Sequence, residues 1–212
     1  MPDKETRYNP TKLEVRDATT SGSVGQIGGY AAVFNQLSEP LGRFREKIAN
    51  GAFTDSLNSD VRAFWNHNTD ALLGRTTSKT LRIEQNDLGL AFSLDLPDTQ
   101  AGRDTLTSIK RGDVSGMSFG FMVSEDSWQR GKAGEPHVRT LLKVDLYEVS
   151  PVVFPAYPQT SVGTRDMEQL LKELETKWAY EDNEQSAPKG LSIVDARKQL
   201  FKIDFNFRVG NH

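Results

Sequence analysis

The 212-residue sequence contains no cysteine. That removes disulfides, thiolate metal sites and cysteine nucleophiles together, and it suits a reducing compartment. Histidine is nearly absent: His67, His137 and the C-terminal His212 are the full set. Histidine-dependent chemistry therefore has two internal residues to choose between. No apolar run approaches the roughly 20 residues of a membrane-spanning helix. The opening stretch, MPDKETRYNPTKLEVRDATT, lacks the apolar core of a secretory signal, which predicts a cytoplasmic protein. A formal net charge of -3 supplies no basic surplus for a nucleic-acid footprint. Neither nucleic acid nor membrane is an expected partner.

Several chemical signatures are missing as well. There is no Walker-type phosphate loop, no GxGxxG opening a helix and no histidine–carboxylate cluster spaced for a metal. G-x-S-x-G is absent too, so a nucleophile-elbow hydrolase is not indicated. No cofactor or metal is expected.

What remains is a chain that is 36% hydrophobic and 26% charged, enough to bury a sizeable core. Its patterning is that of a β-rich α+β protein. The first 25 residues, ending in a Ser/Thr/Gly cluster, read as a flexible lead-in. IGGYAAVFN reads as a strand. FREKIANGAFTDSL reads as a short strand, a turn at Asn50-Gly51 and a brief helix. In VRAFWNHN, strand alternation places Val61, Ala63, Trp65 and His67 on one face. TLRIEQNDLGLAFSLDLPD is a hairpin signal, with turn formers Asn86, Asp87 and Gly89 between two alternating runs. TQAGRDTLTSIKRGD has helical spacing at Leu106 and Ile109, with Gly112 placed as a C-cap. EDSWQRGKAGEP reads as an exposed loop. HVRTLLKVDLYEVSPVVF carries one or two strands, with Pro151 marking a break or an edge.

A change of character near residue 164 divides the chain into a β domain over 26–163 and a tail over 164–212. In the tail, Met167, Leu170, Leu171, Leu174 and Trp178 form a helical stripe. AYEDNEQSAPKG resembles an acidic linker. The last apolar stretch, LSIVDARKQLFKIDFNFRV, has enough apolar content to dock on something.

Residues 116–123, GMSFGFMV, raise the question of chemistry. In an extended strand Met117, Phe119, Phe121 and Val123 face one way, and Gly116, Ser118, Gly120 and Met122 the other. Ser118 thus lies between two residues without side chains, where a substrate backbone has room to approach. The ordinary use of such a serine is a hydrogen bond inside a core strand. A nucleophilic use requires a base within hydrogen-bond reach, usually an imidazole, and a group that orients the base. His67 and His137 are the candidate bases. Glu148 shares an alternating face with Leu142, Val144 and Leu146, where an ionised carboxylate needs a partner. That partner is Arg62, Arg75, Arg139 or, in the functional reading, His67.

GYAAVFN, EKIANGAFTDSL, VRAFWNHNTDALLGRT, DLGLAFSLDLPDT, IKRGDVSGMSFGF and LYEVSPVVFPAYPQT, taken in order, resemble the prohead maturation proteases of tailed bacteriophages, distant relatives of the herpesvirus assemblins. The resemblance covers roughly residues 28–164. It implies a serine endopeptidase on a closed, mostly antiparallel β-barrel flanked by a few helices. The implied site is Ser118 as nucleophile and His67 as base. The third member is Glu148, or His137 if the chain follows the second-histidine pattern of the assemblins. The implied substrates are the scaffold or the scaffolding segment of the major capsid protein, cut inside the immature prohead in the host bacterial cytoplasm. Self-cleavage and self-association as a homodimer or larger assembly fit the same picture. The competing expectation is an inert capsid-assembly protein on the same barrel.

Overall fold

The computed structural model describes residues 4–18, 20–154 and 164–186. In chain order these form β1 (Glu5–Pro10), β2 (Glu14–Arg16), β3 (Ser23–Val33), β4 (Phe44–Ile48), a 3-10 turn (Thr54–Ser56), β5 (Arg62–Trp65), β6 (Asn68–Arg75), β7 (Leu81–Gln85), β8 (Gly89–Pro97), α1 (Gln100–Arg111), β9 (Gly116–Gln129), β10 (His137–Pro151) and α2 (Thr164–Ser186). The class is α+β and strand-rich, as the patterning predicts. By contact the chain divides into Met1–Met167 and Glu168–His212.

The strands of the first unit pair as two sheets rather than the single closed ring expected of a barrel. A six-stranded sheet runs β1-β9-β10-β5-β6, with β4 also on β10, and a four-stranded sheet runs β2-β3-β8-β7. Pairing is antiparallel except for β4 and β5, which both lie parallel to β10. These two short strands share one side of β10. β4 takes the His137–Leu141 half and β5 takes Glu148–Val149. The 3-10 turn between them covers the gap. Ser56 Oγ donates to the Val144 carbonyl at 2.8 Å and accepts from Leu146 N–H at 2.9 Å.

One apolar core joins the inner faces of both sheets. Ile27, Leu90 and Leu94 from the smaller sheet pack into the same cluster as Ala63, Phe119, Phe121 and Val149 from the larger. Phe53 and Phe119 meet edge to face with ring centroids 5.8 Å apart. α1 closes one side with Leu106 and Ile109. Its N-cap Thr99 accepts from Gly102 N–H at 3.2 Å, and Gly112 ends it in the left-handed conformation, as its spacing predicts.

The N-terminal segment departs from expectation. β1 and β2 are paired strands, not a flexible lead-in. The reason is a buried charge cluster that the polar stretch ETRYNP conceals. Arg7 bonds Glu46 at 2.8 Å and Glu5 at 2.5 Å, and Arg139 bonds Glu5 at 3.0 Å, Glu46 at 3.2 Å and Asp126 at 2.7 Å. Burial works against the charge on Arg7, but the facing Glu46 and Glu5 more than offset it and hold its pKa above the usual value. The cluster ties β1, β4, β9 and β10 together.

Two further segments are more regular than they read. EDSWQ continues β9 to Gln129 instead of looping out, and the acidic stretch after Trp178 continues α2 to Ser186. On α2, Met167, Leu170, Leu171, Leu174 and Trp178 lie on its less exposed side. The apolar C-terminal stretch lies outside the described residues.

Candidate active site

The site is assembled where the C-terminal end of β10 passes between β9 and β5. In the β9–β10 ladder Ser118 pairs with Ser150 and Gly120 pairs with Glu148. Directly paired residues of an antiparallel ladder share a face, so these four belong to one face of the sheet. Met117, Phe119 and Val149 alternate onto the core face. The expected split of β9 into two faces is therefore present, but both faces are buried from Gly116 to Phe121.

His67 is not on a strand face. Asn66 and His67 form the two-residue connection between β5 and β6, with φ of +50° and +62°. Two consecutive left-handed residues make a type I′ hairpin turn, a position that favours Asn and Gly and tolerates His. The turn is tied to the end of β10: Asn66 N–H donates to the Pro151 carbonyl at 3.0 Å, and Asn66 Oδ1 accepts from Val153 N–H at 3.4 Å. This placement swings the imidazole off β5 and over β10.

There it meets Glu148. His67 Nδ1 stands 2.8 Å from Glu148 Oε1. The other carboxylate oxygen, Oε2, accepts from the Ser150 hydroxyl at 2.8 Å. The three arginines that could have partnered Glu148 are engaged elsewhere. Arg62 and Arg75 both bind Asp60, and Arg139 belongs to the charge cluster. A register shift between Leu146 and Glu148 takes Glu148 off the face it was expected to share with Val144 and Leu146 and puts it on the face of Ser118 and Gly120. Two further shifts, one on each side of Lys143, explain why Leu141, not Leu142, is the buried neighbour of Val144.

Two polar atoms of the site are left without a hydrogen-bond partner: His67 Nε2 and Ser118 Oγ, both buried. The direct bond expected between them is not made. Catalytic hydrogen bonds are often long in the unbound state and tighten on substrate binding. With Nδ1 facing the carboxylate, Nε2 is the nitrogen that remains to act as a base. Nearby, burial and the charges of Glu148 and Glu5 push the Tyr147 phenol up to about 12.

The glycines do a different job from the one the sequence suggests. A Cβ on Gly116 would lie 2.1 Å from the Tyr8 ring, and one on Gly120 would lie 2.7 Å from Glu148 Cγ and from the Tyr147 ring. The cleared space is filled by the protein itself. Gly120 makes room for the carboxylate, and Tyr8, paired with Ser118 across β1–β9, fills the space over Gly116.

His137 is elsewhere. It opens β10, thirteen residues before Ser150, roughly 40 Å away along an extended strand. Its Nδ1 accepts from Gly131 N–H at 3.1 Å. The structure brings together His67, Glu148 and the Ser118–Ser150 pair, and it leaves His137 out. Ser150 was missed from sequence although it stands two residues after Glu148. The same-face spacing was the available signal. Among the described residues no group of three His, Asp or Glu side chains converges as metal ligands do.

The profile of the caudovirus prohead serine proteases matches residues 11–173. The chain belongs to that family. It is 30% identical over 151 residues to the prohead protease of Enterobacteria phage HK97, an alignment that takes in 68% of this chain. The chain matches 62% of that relative's length. Among solved structures, the bacteriophage T4 capsid assembly protease aligns with a TM-score of 0.46 at 12% identity, covering 71% of this chain and 98% of the other. The family match takes in β2 through β10 and reaches into α2; β1 precedes it.

Proposed function

We propose that the chain is a serine endopeptidase of prohead maturation, with Ser118 as nucleophile, His67 as general base and Glu148 as the carboxylate that orients the base. The observation that carries this reading is the 2.8 Å contact between His67 Nδ1 and Glu148, which leaves a buried, unpartnered Nε2 in a site that also holds an unpartnered Ser118 hydroxyl.

In this reaction His67 Nε2 takes the proton from Ser118 as Oγ attacks the scissile carbonyl. Glu148 stabilises the imidazolium that forms. The imidazolium then delivers its proton to the leaving amine, and water, activated by the same nitrogen, releases the acyl-enzyme. Membership of the prohead protease family supports capsid components as substrates: the scaffold or the scaffolding segment of the major capsid protein. It also supports action within the assembling capsid in the host cell, with self-cleavage and self-association as accompanying features.

The test is co-expression with the capsid protein of the same phage. Wild type shortens the capsid protein or itself, and Ser118→Ala does neither. Cleavage undiminished in Ser118→Ala removes Ser118 from the mechanism. Absence of cleavage by both forms favours an inert assembly protein.

A further inference from the structure

Glu148 is buried, and a buried carboxylate needs both of its oxygens satisfied. His67 takes one. The other has Ser150, which is itself fully buried. Ser150 stands two residues from Glu148 on the same face of β10, and it pairs across the ladder with Ser118. A serine hydroxyl has a single proton to donate, and here it goes to Glu148. The hydroxyl of Ser118, about 5 Å away in backbone terms, keeps its own proton for the base.

We propose that Ser150 is a positioning residue of the site, holding Glu148 turned so that Oε1 faces His67 Nδ1. This rests on the serine-protease reading above. A hydrogen bond donated to one oxygen of a carboxylate fixes the plane of the group. Ser150 is also suited sterically: one small side chain fits beside Ser118, where a longer donor would crowd the nucleophile. Gly120 completes the seat from the other side, since any side chain there would meet Glu148 Cγ. The carboxylate is thus held by His67 on Oε1, Ser150 on Oε2 and the bare backbone of Gly120 opposite.

The experiment measures the rate at which a fluorophosphonate labels Ser118 in the full chain for wild type, Ser150→Ala and Ser150→Thr. Loss of one hydrogen bond to a charged group predicts labelling about ten- to a hundredfold slower in Ser150→Ala. Ser150→Thr, which keeps the hydroxyl, recovers most of the rate. A wild-type rate in Ser150→Ala overturns the proposal. So does a loss that Ser150→Thr does not recover, which marks a packing defect. If Ser150→Ala does not fold, Ser150→Cys, a weaker donor of similar size, carries the same comparison. If wild type itself is not labelled at Ser118, the protease reading fails and the role of Ser150 is read separately. Nitrogen-15 shifts of His67 in Ser118→Ala should report the Nδ1–H tautomer, giving way to a mixture when Ser150→Ala is added. Identical His67 spectra in the two proteins overturn the proposal independently of activity.

Discussion

His67 and Glu148 lie 81 residues apart in sequence and 2.8 Å apart in space, joined because a left-handed turn carries the imidazole from β5 over to β10. The contact fixes which nitrogen is free. A carboxylate on Nδ1 selects the tautomer whose Nε2 lone pair can take a proton, and it stabilises the imidazolium afterwards. Glu148→Gln keeps the shape but loses the charge, and the amide can present its N–H₂ to the ring. The expected outcome is a loss of about 10³- to 10⁴-fold in Ser118 labelling or capsid-protein cleavage. Thermal unfolding should change little by comparison. Activity within tenfold of wild type would remove Glu148 from the site.

Gly120 supplies a steric test of the same seat. Its added Cβ would lie 2.7 Å from Glu148 Cγ and from the Tyr147 ring, closer than carbon atoms pack. Gly120→Ala should therefore destabilise the fold by about 1–3 kcal/mol through overpacking. It should also lower activity by more than that destabilisation explains, because the displaced atom belongs to the orienting carboxylate. Denaturant melts and labelling rates on the same samples separate the two effects. Gly120→Ala with normal activity would show that Glu148 has freedom the structure does not suggest.

How much of this could be seen in the sequence depends on whether the cause was local. The Leu81–Pro97 hairpin and α1 were legible because their punctuation is local: Asn86 accepts from Leu88 and Gly89 N–H, Thr99 caps, Gly112 terminates. The face expected for Glu148 was wrong: the bulge at Tyr147 takes it off the face of Val144 and Leu146 and sets it opposite Gly120, where His67 and Ser150 bury it. The turn at Asn66-His67 was not legible, since it lacks glycine and its strand-like composition hides two positive φ values. β1 was hidden for a different reason. Its polar residues are buried only because Glu46, Asp126 and Arg139 arrive from distant strands to pair with them. The glycines of β9 were seen but misread, because what fills the space above them comes from Tyr8 and Tyr147, on the two neighbouring strands.

The charge cluster that secures β1 should be costly to interrupt. Arg139 sits between Glu5, Glu46 and Asp126, and all three carboxylates would lose a cation at once in Arg139→Ala. Leaving buried charge uncompensated costs about 3–5 kcal/mol. The guanidinium also lies over the Trp128 ring at 5.7 Å, so its packing is lost as well. Equilibrium unfolding should show a fall of that order, with hydrogen exchange accelerated first in β1. A change below about 1 kcal/mol would mean that the cluster contributes little beyond specificity of strand pairing.

Tyr147 gives a pH-dependent prediction with a definite sign. Burial, followed by the charges of Glu148 and Glu5, pushes its phenol up to about 12, above the ordinary tyrosine value of about 10. A group whose folded value is raised favours the folded state while it stays protonated. Its contribution is fully present below about pH 10, where the unfolded phenol begins to ionise, and is lost as pH rises towards 12. In the ultraviolet titration a late tyrosine step should appear, and Tyr147→Phe should remove it. The variant's melting temperature should also fall less steeply between pH 10 and 12 than that of wild type. Glu148→Gln removes the larger of the two charges that raise the phenol, so the late step should move to lower pH while remaining above that of an exposed tyrosine. A late step unaffected by Glu148→Gln would show that burial alone sets the shift, and that the Glu148 charge does not reach the Tyr147 ring.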